Sequence, residues 1–112
     1  LNIFNFAINN VPLIIKKLYK KIKVKYCFLH QANKMIQDSI EQQLCKKRMV
    51  FPTSLNNFGN TSSATIPITI CHNFFNQKLV GNSIFCGFGV GLSMSAVIIN
   101  MQKTKIFKII KI

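Results

Sequence analysis

Residues 83–101 carry no charged side chain, in a chain whose formal net charge is +13. A run of that kind has to leave water, and it is about long enough to cross a bilayer. Gly87, Gly89 and Gly91 interrupt its middle, however, and Ser93, Ser95 and Asn100 follow. Ile84-Phe85-Cys86 stands before the glycines and Ala96-Val97-Ile98-Ile99 after them. Two short buried strands, 83–86 and 95–101, joined by a Gly-rich turn, fit this pattern better than a spanning helix. No membrane span is expected.

What covers those strands can be read upstream. Residues 5–21 have Val11, Ile14, Ile15 and Leu18 at helical spacing, with Lys16, Lys17, Lys20 and Lys21 mostly on the other side. Pro12 is expected to set the first turn of a shorter helix. Residues 24–29 read as a buried strand. A second helix is expected over 31–47, with Ala32, Met35, Ile36, Ser39, Ile40, Gln43 and Leu44 as its face. A second strand follows at 50–55, against which Pro52 is a mild objection. Then come a turn at 56–60, a helix at 61–75 with Pro67 near its first turns, and a turn at Gly81-Asn82. The order α-β-α-β-α-β-β predicts an α/β protein, a mostly parallel sheet with helices on its faces. Residues 102–112 form a basic tail, read either as an amphipathic helix or as a poorly ordered end.

The 112 residues make one domain at most, and 49% hydrophobic content with ten Phe excludes a disordered, solvating chain. Fifteen Lys plus Arg stand against two acidic residues. This surplus points to nucleic acid, an anionic membrane surface or an acidic protein partner, or to the codon bias of an AT-rich genome. The lysines lack interleaved surface aromatics and any recognised nucleic-acid motif, so a basic binding module is the weakest of these readings. Cys27, Cys45, Cys71 and Cys86 have no zinc or redox spacing. No metal is expected, and reduced, mostly buried thiols suit the cytoplasm. The first fifteen residues lack the features of a signal peptide. A chain that begins at Leu1 is read as a piece of a longer frame.

Three stretches carry possible chemistry. Leu29-His30-Gln31-Ala32-Asn33-Lys34 and Phe58-Gly59-Asn60-Thr61-Ser62 both fall where a strand ends and a helix begins, and Gly87-Phe88-Gly89-Val90-Gly91 lies between strands. Ligands of open α/β sheets gather at the carboxyl ends of strands. A His and an Asn side by side can donate two hydrogen bonds to an oxygen that gains negative charge, and a Gly-rich turn can bring backbone N–H groups to a reacting carbonyl. Singly, each has a plain alternative: a structural His, an ordinary turn, a chance glycine repeat.

Together, and in this order over residues 3–101, they resemble the C-terminal half of β-ketoacyl-acyl-carrier-protein synthase III, of the thiolase-like superfamily. His30-Gln31-Ala32-Asn33 is similar to that family's His motif, and Gly59-Asn60-Thr61-Ser62, with Ile66-Pro67 following, to its Asn motif. The resemblance implies half of a thiolase-like fold over 1–101, with the half's first strand missing. It implies His30 and Asn60 as catalytic donors, the Gly89-Val90-Gly91 backbone as part of an oxyanion hole, and Asn33 as a contact of the pantetheine arm. It implies decarboxylative condensation of malonyl-carrier protein with an acyl-cysteine, no cofactor beyond acyl-CoA and carrier-protein thioesters, an acidic acyl carrier protein as partner, and a homodimer. The nucleophilic cysteine belongs to the N-terminal half, which is absent here, and Cys27 reads as structural. Met94 stands where the family commonly has Trp. The alternative is an inactive fragment or pseudogene product that keeps only the shape.

Overall fold

The structure is a computed structural model that describes residues 2–112; Leu1, the first residue of the expected 1–101 unit, lies outside the described residues. Helix α1 runs Ile3–Lys21, capped by the Asn2 side chain, which accepts from the Phe4 N–H at 2.9 Å. Ala7, Val11 and Ile15 recur every four residues and form its buried stripe. Pro12 does not set a first turn; it lies inside the helix. A proline there removes the N–H that would bond the carbonyl four residues back, here that of Ile8. The Gln43 side chain supplies the missing donor, with Nε2 2.9 Å from the Ile8 oxygen.

Strand β1, Tyr26–Leu29, leads to helix α2, Lys34–Gln43, and a 3-10 turn, Cys45–Lys47. The start of α2 is fixed by Asn33, whose Oδ1 accepts from the Ile36 N–H at 2.9 Å. That start turns Met35 outward, against expectation, and brings polar Gln37 inside with Ile36 and Ile40. The strand expected over 50–55 is reduced to a single parallel bridge, Tyr26 to Val50. Pro52 offers no N–H to extend that ladder, and the chain passes into α3, Leu55–Phe58, where a turn was expected. Gly59 ends α3 at φ 65°, ψ −153°, a conformation open essentially to glycine alone. A 3-10 turn, Ser62–Ala64, feeds α4, Thr65–Phe74. Pro67 sits in the first turn of α4, where its missing N–H has no helical partner to lose.

Strands β2, Asn82–Gly89, and β3, Ser93–Asn100, form a hairpin, so the uncharged run is not a helix. Among the described residues no helix is long and apolar enough to cross a membrane. The sheet order is β1-β2-β3, parallel between β1 and β2 and antiparallel between β2 and β3. It is therefore mixed rather than mostly parallel, because the lost second strand would have supplied another parallel ladder.

The pleat separates two cores. Cys27, Leu29, Ile84, Cys86 and Phe88 meet α1 and α2 on one face. Tyr26, Phe28 and Phe85 meet Ile70 and Phe74 of α4 on the other. Phe28 stands edge-on to Phe85 and Phe74, with ring centroids 5.7 and 6.0 Å apart. The basic tail is not an amphipathic helix: residues 104–112 form neither helix nor strand. Ile106 is buried in the second core, its carbonyl accepts from the Asn76 N–H at 2.8 Å, and Lys108 and Lys111 lie over the rings of Phe75 and Phe58.

Candidate functional site

β1 and β2 run parallel, so their carboxyl ends open on the same edge of the sheet, beside the start of α4. A cleft of about 820 Å³ lies there, lined by His30, Asn60, Thr65, Gly87, Gly89 and Val90 among others. His30 and Asn60, thirty residues apart in sequence, thus face one space.

His30 extends the ladder one residue past β1, its N–H donating to the Cys86 carbonyl at 2.9 Å. Its Nδ1 is 2.7 Å from Thr65 Oγ1, and its ring stands edge-on to Phe88 at 5.3 Å between centroids. Burial holds its pKa below the ordinary 6.5, since a half-buried imidazolium loses hydration. The ring is therefore neutral at pH 7, with one nitrogen donating and the other accepting. Asn60 is exposed to the cleft, and its Oδ1 accepts from the Ser62 N–H at 2.9 Å. That turn ties up the amide oxygen and leaves the Nδ2 protons for a ligand.

Behind these two residues, Gln31 is fully buried, a fact its sequence gave no reason to expect. Its Nε2 donates to the Leu29 carbonyl at 2.7 Å. Its Oε1 accepts from Thr53 Oγ1 at 2.8 Å and the Ser54 N–H at 3.2 Å. One amide side chain thus ties the end of β1 to the segment that leads to Asn60.

Gly89 and Val90 line the cleft, whereas Gly91, at φ 84°, makes the hairpin turn outside that lining. A Cβ built on Gly87 or Gly89 would meet nothing within 4 Å, so their missing side chains are empty space in the cleft wall. Asn33 also lies outside the lining, with its Oδ1 committed to the cap of α2.

Neither carboxylate of the chain is in the cleft: Asp38 and Glu41 both belong to α2, and Asp38 pairs with Lys34 on the surface at 2.7 Å. Nor is a reactive thiol there. Cys27 points to the opposite face of the sheet, and burial, followed by the nearby Cys86, pushes its thiol pKa well above 9.0. Burial pushes Cys86 up to about 12. Cys45 is exposed on the 3-10 turn and Cys71 half-buried on α4. No group of three or more His, Cys, Asp or Glu among the described residues could hold a metal. The cleft is equipped to donate hydrogen bonds to an anion, and holds no thiol or carboxylate.

A mixed sheet between helices, with a His and an Asn facing one cleft at its edge, defines an α/β protein with a hydrogen-bond-donating site. Solved structures share the fold. The 3-oxoacyl-(acyl-carrier protein) synthase of Burkholderia xenovorans LB400 superimposes with a TM-score of 0.76 over 96% of this chain and 33% of its own, at 24% identity. The synthase III of Pseudomonas aeruginosa PAO1 gives 0.73 over 87% and 33%, at 22% identity. Residues 15–101 match the family described as 3-oxoacyl-[acyl-carrier-protein (ACP)] synthase III C terminal, and the chain belongs to that family. Among its relatives is the β-ketoacyl-[acyl-carrier-protein] synthase III of Prochlorococcus marinus subsp. pastoris, 40% identical over 87% of this chain. That of Streptococcus agalactiae serotype III is 37% identical over 88%. The chain spans about a third of their length, 31% and 33% respectively.

Proposed function

We propose that this chain is the enolate-stabilising part of a 3-oxoacyl-[acyl-carrier-protein] synthase III-like acyltransferase, acting in fatty-acid or related lipid synthesis in the cytoplasm. The observation that carries the reading is a cleft with two oriented donors, His30 and Asn60, and no carboxylate or exposed thiol. A malonyl thioester bound there loses its carboxylate as CO2, and the electron pair of the broken C–C bond becomes an enolate. The thioester oxygen takes up the charge between His30 Nε2–H and Asn60 Nδ2–H, donors fixed before the charge develops. The enolate carbon then attacks an acyl group carried on a cysteine thiol, and the thiolate leaves. None of the four cysteines lines the cleft, and the family resemblance assigns that cysteine to a complementary N-terminal half.

The Gly89–Gly91 backbone is assigned to the acyl carbonyl and Asn33 to the pantetheine arm. Acyl-CoA and malonyl-carrier protein are the substrates, with no further cofactor. An acidic carrier protein is assigned to the basic corner after α2, where Lys46 and Arg48 are exposed. The complete enzyme is proposed to be a homodimer.

The test is to incubate the chain with malonyl-CoA. Slow release of CO2 with formation of acetyl-CoA is expected, and His30→Ala or Asn60→Ala should lower it by about 10²-fold, the usual loss for one oxyanion donor. A β-ketoacyl product should form only when the N-terminal half is added. Decarboxylation that survives both substitutions would refute the role of the cleft. Condensation by the chain alone would refute the division of labour.

A further inference from the structure

We propose that Thr65 is a positioning residue whose hydroxyl donates to His30 Nδ1 and thereby fixes the ring proton on Nε2, the tautomer that can donate into the cleft. The inference deepens the enolate reading and rests on it for its purpose, but its evidence is separate. An imidazole with a bare Nε2 would turn a lone pair, not a donor, toward a developing oxyanion. Nothing about His30 alone selects the right form, because a neutral ring can carry its proton on either nitrogen.

The selection comes from accounting for one buried hydrogen. Thr65 is 2% exposed, and its Oγ1 has one hydrogen-bond partner among the described residues, His30 Nδ1 at 2.7 Å. If Nδ1 carried the proton, Thr65 Oγ1 would accept it and its own O–H would be buried without an acceptor. Leaving a buried donor unmet costs the full loss of its hydration, whereas the reverse arrangement satisfies both groups. The hydroxyl therefore donates, and Nδ1 is the acceptor.

Thr65 is itself held in place. Its carbonyl accepts from Thr69 Oγ1 at 2.7 Å, and Thr69 Oγ1 pairs with Ser54 Oγ at 2.8 Å. The Ser54 N–H reaches Gln31, the residue after His30. The contacts close a ring from His30 through Thr65, Thr69, Ser54 and Gln31 back to His30, so the hydroxyl is aimed at Nδ1 by groups that never touch a ligand. Phe88, edge-on to the imidazole, keeps the ring from tilting away.

The test is ¹⁵N NMR of the histidine-labelled chain at pH 7.5, with His72→Gln to assign the signals. In the wild type, His30 should show one tautomer, with Nδ1 unprotonated and Nε2 protonated. Thr65→Ser, which keeps the hydroxyl, should preserve it. Thr65→Val, which keeps the shape and loses the hydroxyl, should give a mixture of tautomers. A protonated Nδ1 in the wild type overturns the proposal. So does a wild-type mixture like that of an unstructured imidazole, or a Thr65→Val spectrum with the wild-type ratio. A tautomer mixture in Thr65→Val with decarboxylation unchanged would count instead against the enolate reading.

Discussion

Replacing Gln31 with leucine should destabilise the protein by about 2–4 kcal/mol, because it strands two buried backbone groups at about 1–3 kcal/mol each. Those groups are the Leu29 carbonyl, which loses its 2.7 Å donor, and the Ser54 N–H, which loses its 3.2 Å acceptor. Thr53 Oγ1 also loses a partner, but its residue is exposed and water can replace the bond. Leucine has nearly the volume of glutamine and leaves no large cavity, so packing loss adds little, and its greater apolarity offsets part of the penalty. A loss of about 3 kcal/mol should lower Tm by more than about 10 °C in a domain of this size. Urea unfolding followed by circular dichroism, at low protein concentration, measures the change in midpoint. Hydrogen exchange localises it, with the Ser54 amide moving from slow to fast. Gln31→Glu should cost at least as much, since it buries a carboxylate with an oxygen against the Leu29 carbonyl. A Gln31→Leu protein within about 0.5 kcal/mol of wild type, with Ser54 still protected, would refute the view that this amide holds the end of β1 to the segment before α3.

Three further outcomes are expected. Gln43→Ala should cost about 1 kcal/mol in the wild type but almost nothing beside Pro12→Ala, because an alanine N–H can reach the Ile8 carbonyl; a double-mutant cycle that adds within about 0.3 kcal/mol refutes the coupling. Stability should fall as pH is lowered through 6.5 toward the depressed pKa of His30, since the unfolded chain binds the proton more readily, and be level above 6.5; His30→Gln should remove that slope in pH-dependent urea unfolding. Gly87→Ala and Gly89→Ala should leave Tm unchanged or raise it by a few degrees, about 0.5 kcal/mol of recovered chain entropy, while lowering malonyl-CoA decarboxylation; a fall in Tm of more than about 4 °C would show that the open space is not real.

The sequence exposed those parts of the fold that depend on neighbours in the chain. The Gly-punctuated uncharged run fits two strands and a turn better than a helix, Val11, Ile14, Ile15 and Leu18 recur at helical spacing, and His30 falls where a strand was expected to end and a helix to begin. What escaped was set by partners far along the chain. Pro12 can sit inside α1 because Gln43 repairs the lost bond, and no window around residue 12 contains residue 43. Residues 50–55 have strand composition, but Pro52 denies the ladder its donor, and Leu55–Phe58 coils instead. Met35 and Gln37 exchange places relative to expectation because the Asn33 cap sets where α2 begins. Thr65 is one hydroxyl among several in Thr61-Ser62-Ser63-Ala64-Thr65, and only its approach to His30 separates it from the others.

The bare Cα positions of Gly87 and Gly89 give this cleft an unusual relation to mutation. A pocket shaped by interlocking side chains resists change, because altering one wall disturbs the core behind it. Here part of the wall is backbone, with the sheet's hydrogen bonds behind it and vacancy in front. One base change converts a glycine codon to alanine, and another to valine. The alanine step takes volume from the cavity and meets no core atom, since a Cβ at either glycine has nothing within 4 Å. A lineage carrying this fold can therefore trim what its cleft admits in single steps, without first acquiring a compensating mutation elsewhere.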